Sequence, residues 1–283
     1  MTSPAAPPPP PRDLEEAAAR LADVFRTLPR GAVVALSGGT DSALVLDAAV
    51  EAFSPARVVA ATSRSESLAP EELEAARERA RAAGVEHVVL AGSELSIEAF
   101  RRNAPDRCFH CKDHLFDQLS RLARDRGVPQ VLDGTNADDT GDHRPGMRAL
   151  RELKVLSPLL DLGFTKAEIR SRARRLGIAH HDLPESACLA SRVLEGTPVT
   201  RGKLAQIEQG EAYLKSLGFK QVRLRHHGDL ARIEVGEAEL PRLMEKRLRS
   251  RLTVRMRRLG FRFVAADLEG YKRGGGNLRI RQD

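Results

Sequence analysis

The sequence predicts an α/β protein, a doubly wound parallel sheet covered by helices, with a smaller α+β domain after it. Three observations carry that reading. Short apolar runs of strand length alternate with helical segments between residues 32 and 132, as parallel strands joined by crossover helices require. Near residue 200 the alternation stops, and two strand-like runs follow each other directly. The charge divides at the same place: residues 201–283 carry 20 Lys and Arg against 10 Asp and Glu, and residues 1–200 carry 26 against 29.

The elements follow in order. Residues 1–12 (MTSPAAPPPPPR) read as a disordered polyproline lead-in. Asp13 can cap a helix whose Leu14, Ala18, Leu21, Phe25 and Leu28 keep helical spacing. Strands are expected at Ala32–Leu36, Arg57–Thr62, His87–Ala91 and Gln130–Leu132. Helices lie between them, over Asp41–Phe53, from Pro70, and near Lys112–Arg126. The second domain should hold a helix over Lys203–Leu217 and strands Gln221–Arg225 and Ala231–Val235, joined by a His226–Leu230 hairpin loop. A basic helix Leu240–Leu259 and a strand Arg262–Ala265 complete it. The expected organisation is therefore a lead-in (1–12), an α/β domain (13–200), a basic α+β domain (201–273) and a flexible tail (274–283).

Composition narrows the function classes. With 41% apolar and 30% charged residues among 283, the chain can pack a core, which excludes a wholly disordered protein. Trp is absent and aromatics are 4%, so that core is built from Leu, Val, Ile and Ala. No apolar run approaches the ~20 residues of a membrane span, and no signal-type apolar region follows the N-terminus. Three cysteines cannot close a disulfide framework, so a reducing cytoplasm is expected. The net charge of +7 lies in the C-terminal third and suits a phosphate, a nucleotide or RNA; a solvated basic surface would look the same.

Ser37-Gly38-Gly39-Thr40-Asp41-Ser42 follows the first strand and opens the first crossover helix. Glycines let backbone amides approach a phosphate, and a helix N-terminus favours an anion there. Ser37 and Ser42 add hydroxyls, and Asp41 could hold Mg²⁺. Two glycines alone could be a plain turn. The Lys of a kinase-type phosphate loop is missing, which disfavours γ-phosphate transfer. The string resembles the SGGxDS loop of the PP-loop ATP pyrophosphatase superfamily. That resemblance implies ATP at the ends of a doubly wound sheet, with Ser37, Gly38, Gly39, Asp41 and Ser42 around the pyrophosphate, and adenylation of a substrate oxygen. Thr135 and Asn136, which follow a strand at the expected sheet edge, could approach the same ATP.

Cys108-Phe109-His110-Cys111 is expected on a loop entering a helix, with Cys188 far along the chain. The residues allow structural zinc with His110 or His114 as fourth ligand, a redox pair, or buried thiols without chemistry. Three thiolates could also hold a 4Fe–4S cluster by three corners.

Further strings resemble one branch of that superfamily, the LarE sulfur transferases of nickel-pincer nucleotide biosynthesis. They are Asn103–Cys108 with Cys111-Lys112, Asp133–Asp139, Asp142–Gly146, Ser157-Pro158-Leu159 and Pro184–Arg192. They span nearly the whole chain after residue 30. The resemblance implies that a carboxylate of pyridinium-3,5-biscarboxylic acid mononucleotide is adenylated and converted to a thiocarboxylate, for the cofactor of lactate racemase. Two sulfur routes occur in the family. One sacrifices a cysteine, here matched by Cys188; the other has three cysteines, here Cys108, Cys111 and Cys188, and resembles a 4Fe–4S carrier. The cluster route is the expectation, because the sacrificial one leaves Cys108 and Cys111 without a role. Ser191 and Arg192 match the family's phosphate-binding pair, and Glu211, Arg223 and Glu234 are further substrate-pocket candidates. A homo-oligomer and contact with other proteins of the same biosynthesis are expected, without membrane or nucleic acid. The alternative is a PP-loop tRNA thiolase, but residues 201–283 offer few aromatic platforms for single-stranded RNA.

Overall fold

The computed structural model describes residues 14–29, 31–139, 146–178 and 188–272. The expected lead-in, the Asp13 cap, the tail and part of the Asp142–Gly146 and Pro184–Arg192 strings lie outside them. In chain order the elements are α1 (Leu14–Thr27), β1 (Ala32–Ala35), α2 (Thr40–Phe53), β2 (Val58–Arg64), α3 (Pro70–Ala82), β3 (Glu86–Ala91), α4 (Glu98–Arg101), α5 (Arg107–Asp125) and β4 (Val131–Leu132). They continue with α6 (Gly146–Glu152), α7 (Pro158–Asp161), α8 (Lys166–Arg175), α9 (Arg201–Ser216), β5 (Val222–His227), β6 (Leu230–Val235), α10 (Leu240–Leu243), α11 (Lys246–Arg258) and β7 (Phe263–Ala266).

The chain divides into two compact units, one of Met1–Ser93 and Cys108–Ser186, the other of Glu94–Arg107 and Ala187–Asp283. The first is the expected α/β sheet. Its strands run β3-β2-β1-β4, all parallel, with Ala32 opposite Val58 and Val33 opposite Val131. Ala32, Val33 and Val34 are fully buried because both sheet faces are covered. Val34 packs with Phe25 of α1, Leu44 and Leu46 of α2, and Ile169 of α8. Val33, one residue earlier, packs with Phe116 and Leu119 of α5 on the opposite face, as the two-residue period of a strand dictates. Strand order reverses between β1 and β4, so the loops after these two strands flank the crevice where open α/β sheets take ligands.

In the second unit β5 and β6 form an antiparallel hairpin and β7 adds parallel to β6. Leu214 of α9 and Leu252 and Met256 of α11 pack with Leu224 and Ile233 of the sheet. The close fit is visible at Gly210, where a Cβ would come within 2.3 Å of Leu224 Cδ2.

Several expectations are corrected. The hairpin loop is two residues, not five, because His227 pairs with Leu230 and Gly228 supplies the positive φ the tight turn needs. The single basic helix is two, because Glu245 is extended (φ −57°, ψ 132°) and caps α11 instead of continuing α10. The Cys108–Cys111 string lies inside α5, not on a loop before it. The boundary expected at residue 200 also moves. Residues 94–107 and 187–200 belong with the C-terminal unit: the buried Asn103 amide lies 2.9 Å from Leu194 O and 3.0 Å from Thr197 O, and Val193 bridges His226.

Candidate active site

In the α/β unit the loop after β1 is folded on its own side chains. Ser42 Oγ donates to Gly39 O (3.0 Å) and receives Ser37 N–H (3.2 Å), with Ser37 Oγ also 3.2 Å away. Gly38 has φ +82°, and a Cβ there would lie 2.1 Å from Glu72 O in the first turn of α3. Only glycine fits that position. The strand end before the loop is held by Thr62, whose hydroxyl donates to Leu36 O (2.6 Å) and lies 2.9 Å from His87 Nε2. Its one hydrogen is given to Leu36, so His87 donates to it. Across the crevice, a Cβ at Gly134 would come within 2.7 Å of Ser42 N, and Asn136 Nδ2 donates to Asp41 Oδ2 (2.8 Å). The structure thus brings Ser37, Gly38, Gly39, Asp41 and Ser42 together with Asn136. Thr135 is buried and turned toward Asp133 instead, its hydroxyl donating to that carboxylate.

Cys108 and Cys111 sit one turn apart at the start of α5, a spacing that puts both on one helix face. Cys108 is exposed and Cys111 half-buried. Cys188, in the other unit, is also exposed; its carbonyl accepts Ser191 N (2.9 Å) and Arg192 Nη1 (3.0 Å). The backbone beneath that thiol is therefore pinned. Among the described residues no group of three His, Cys, Asp or Glu side chains is gathered as a metal site.

The C-terminal unit holds a buried set of alternating charges. Arg192 makes two hydrogen bonds to Glu211, Nε to Oε1 at 2.9 Å and Nη2 to Oε2 at 3.1 Å, and Leu224 N donates to the same Oε1. Arg225 clasps Glu234 in the same fork, at 2.8 and 3.0 Å, and Arg232 adds a third contact to Glu234. Arg223 stands opposite Glu234 in the strand register, and its Nη1 donates to Val222 O (2.9 Å). Arg223 lies over the Tyr271 ring, and burial, then the Arg192 charge, lower its pKa. Burial and a neighbouring guanidinium both disfavour the Arg223 charge, and a nearby anion would offset that cost. Arg225 was not singled out in the sequence. It alternates along β5 with apolar Leu224 and reads as an outward charge; the one local signal was the Arg-x-Arg spacing with Arg223.

Three histidines give the protein a pH dependence: His87, His226 and His227, the last with its pKa lowered by burial and by the Arg232 and Arg225 charges. Burial lowers the pKa of His87, aided by Arg77, and lowers that of His226, aided by Lys203. His226 Nε2 faces Gln206 Oε1 at 3.0 Å, and its buried Nδ1 has no hydrogen-bond partner among the described residues. The unfolded chain takes up these protons near the ordinary value of about 6.5, the folded chain only at lower pH. Stability from this source is complete above pH ~6.5 and is lost as pH falls below it. Urea midpoints should drop between pH 7.5 and 5.5, and His226→Gln should reduce the drop; an equal drop in both proteins would remove His226 from the account.

The sheet, its switch point and the self-bonded SGGTDS loop define a PP-loop nucleotide-using protein. The Asparagine synthase family model matches residues 30–140, the segment that contains this loop. The chain is 34% identical over 241 residues to the pyridinium-3,5-bisthiocarboxylic acid mononucleotide synthase of Lactiplantibacillus plantarum, covering 85% of this chain and 87% of the relative. It is 38% identical over 261 residues to an uncharacterized protein of Synechocystis sp., covering 92% and 97%. The chain belongs to the LarE family of pyridinium-3,5-bisthiocarboxylic acid mononucleotide synthases. No helix among the described residues is long and apolar enough to cross a membrane.

Proposed function

We propose that the protein is an ATP-dependent sulfur transferase that adenylates a carboxylate of pyridinium-3,5-biscarboxylic acid mononucleotide and converts it to a thiocarboxylate. The intact Ser37–Ser42 loop at the sheet's switch point, in a chain of the synthase family, carries this reading. A carboxylate oxygen attacks the α-phosphorus of ATP, and pyrophosphate leaves. Backbone amides around Gly38 and Gly39 and the Ser37 and Ser42 hydroxyls hold the departing pyrophosphate. The Asp41 carboxylate, a hard oxygen donor, suits Mg²⁺, which would neutralise charge on the phosphates. Sulfur then attacks the acyl carbon, the bond to AMP breaks, and a thiocarboxylate remains. Ser191, Arg192 and Arg223, with Arg225, would set the mononucleotide phosphate, and Glu211 and Glu234 hold the arginines in place.

Three thiols, two of them one helical turn apart, are a donor set that suits a 4Fe–4S cluster held by Cys108, Cys111 and Cys188; such a cluster supplies an iron open to exogenous sulfide. The second reading rests on Cys188, an exposed thiol on a pinned backbone. In it Cys188 Sγ attacks the adenylate, and the Cβ–Sγ bond then breaks with loss of the α-proton, leaving dehydroalanine. Anaerobic iron and sulfide analysis with the three Cys→Ala variants separates them. On the cluster route each variant loses iron and repeated turnover while pyrophosphate release persists. On the sacrificial route only Cys188→Ala is inactive, product stops at one sulfur per chain, and the spent protein is lighter by one H₂S. Zinc in place of iron, with full activity, overturns both.

A further inference from the structure

One buried carboxylate beside the loop has no part in the scheme above. Asp133 is the first residue after β4 and is 5% exposed. Its backbone N–H reaches Leu156 O at 3.0 Å, and its carboxylate has three donors: Thr135 N (3.3 Å), the Thr135 hydroxyl, and Ser157 Oγ (2.6 Å). Two of these close the chain back on itself two residues on, an Asx turn. The third comes from the residue that precedes α7, outside the loop altogether. A buried carboxylate with three donors is a rigid anchor, because moving it would leave each of those groups unpaired.

What the anchor fixes is the segment against α2. Gly134 is so close to Ser42 N that no side chain fits. Asn136 is held at both ends of its amide: Oδ1 receives Asp138 N (3.0 Å), and Nδ2 donates to Asp41 Oδ2 (2.8 Å). Its backbone N–H is also taken, by Asp139 Oδ2 at 3.2 Å. Turning the amide over would set its oxygen against the Asp41 carboxylate and its NH₂ against another N–H, so one orientation survives. The chain of contacts runs from Ser157 through Asp133 and the 133–136 turn to Asp41.

We propose that Asp133 is a positioning residue for the ATP site: by locking the 133–136 turn it sets the direction of the Asp41 carboxylate and the place of the α2 N-terminus behind the phosphate loop. The inference rests on the reading of Ser37–Ser42 as that site. Asp133 acts through Asn136, so the two residues form one unit rather than two separate contributions.

The test combines calorimetry of ATP binding, with Mg²⁺ and with EDTA, with pyrophosphate release at varied Mg²⁺. Wild type should bind ATP more tightly with Mg²⁺. Asp133→Ala and Asn136→Ala should each lose that gain and raise the half-maximal Mg²⁺ concentration about tenfold, the scale of one charge-assisted hydrogen bond. The double variant should be no worse than either single one, because both act on one contact. Asp133→Asn keeps an acceptor for Thr135 N and Ser157 and should recover most of the loss. Should Asp133→Ala fail to fold, Ser157→Ala removes a single donor and should shift the Mg²⁺ requirement in the same direction by a smaller factor. An unchanged Mg²⁺ dependence in the folded variants, or single losses that multiply in the double variant, overturns the proposal and leaves the ATP site standing. A wild type that binds no ATP overturns the site and the proposal together.

Discussion

Asp41→Ala should cut pyrophosphate release by about a hundred- to a thousandfold, the range for removing one preorganised electrostatic contact from a reacting centre. The fold should survive. Asp41 is half-buried in the first turn of α2, where it accepts the Asn136 side-chain amide. An acidic residue near a helix N-terminus contributes only about 0.3–1 kcal/mol, so the melting temperature should move little. The measurement is phosphate appearance after added pyrophosphatase, with the mononucleotide and ATP both saturating. Ordinary turnover by a folded Asp41→Ala protein would end the PP-loop assignment of this side chain. Asp41→Asn is the sharper control, since it keeps the shape, loses the charge, and should still lose most of the rate.

Glu211→Ala should have the largest effect on stability. Glu211 and Arg192 are 4% and 2% exposed, and the carboxylate serves both the guanidinium and the Leu224 N–H. Deleting it leaves a buried guanidinium without this carboxylate and the Leu224 amide of the edge strand β5 without its acceptor. Breaking a buried pair from one side costs about 3–5 kcal/mol. Urea unfolding followed by a probe in residues 201–272 should show the midpoint falling, with a smaller change in a probe on α5. Replacing both partners by apolar residues should cost less than Glu211→Ala alone, because no lone charge then remains. A Glu211→Ala protein as stable as wild type would mean that water enters and solvates Arg192. Arg192 also belongs to the proposed phosphate site, so Arg192→Lys is the variant to use for substrate affinity. It keeps a charge beside Glu211 and gives up the two-pronged geometry.

How far the molecule could be read beforehand follows from where the partners of each residue lie in the chain. Ser37–Ser42 was legible because its chemistry is local: a strand ends, two glycines turn, and a helix begins within six residues. The first four strands were legible for the same reason: β1, β2 and β4 are apolar runs buried by the covered sheet, β3 is a half-buried apolar run at its edge, and such runs need no long-range partner to be recognised. Asp133 was not, because its role depends on Ser157, a residue on another element. Arg225 was not, because a strand arginine becomes a buried one only when Glu234, diagonal to it on the neighbouring strand, closes a fork with it. The break at Glu245 depends on one residue's dihedral angles in an otherwise helical pattern, which spacing does not encode.

Residues 94–107 are made early but completed late. The Asn103 carboxamide is buried among the carbonyls of Val193, Leu194 and Thr197, the Asn103 backbone carbonyl accepts Gly196 N, and Arg101 O accepts Val199 N. During synthesis roughly ninety residues separate donor from acceptors; β1, β2 and β3 have already emerged, and β4, the last strand of the α/β sheet, emerges in that interval. A chain halted near residue 186 would hold its sheet residues complete while this short stretch still waited, its polar groups answered only by water. Fragment expression inherits the same order. A piece ending at residue 200 keeps Asn103 and its acceptors but discards the β5–β7 sheet to which Val193 is bridged. A piece beginning at 201 keeps that sheet and discards both Asn103 and Arg192, leaving Glu211 as the half without its cation. Neither cut respects the way the chain is sewn, and a workable boundary has to carry both stretches on the same side.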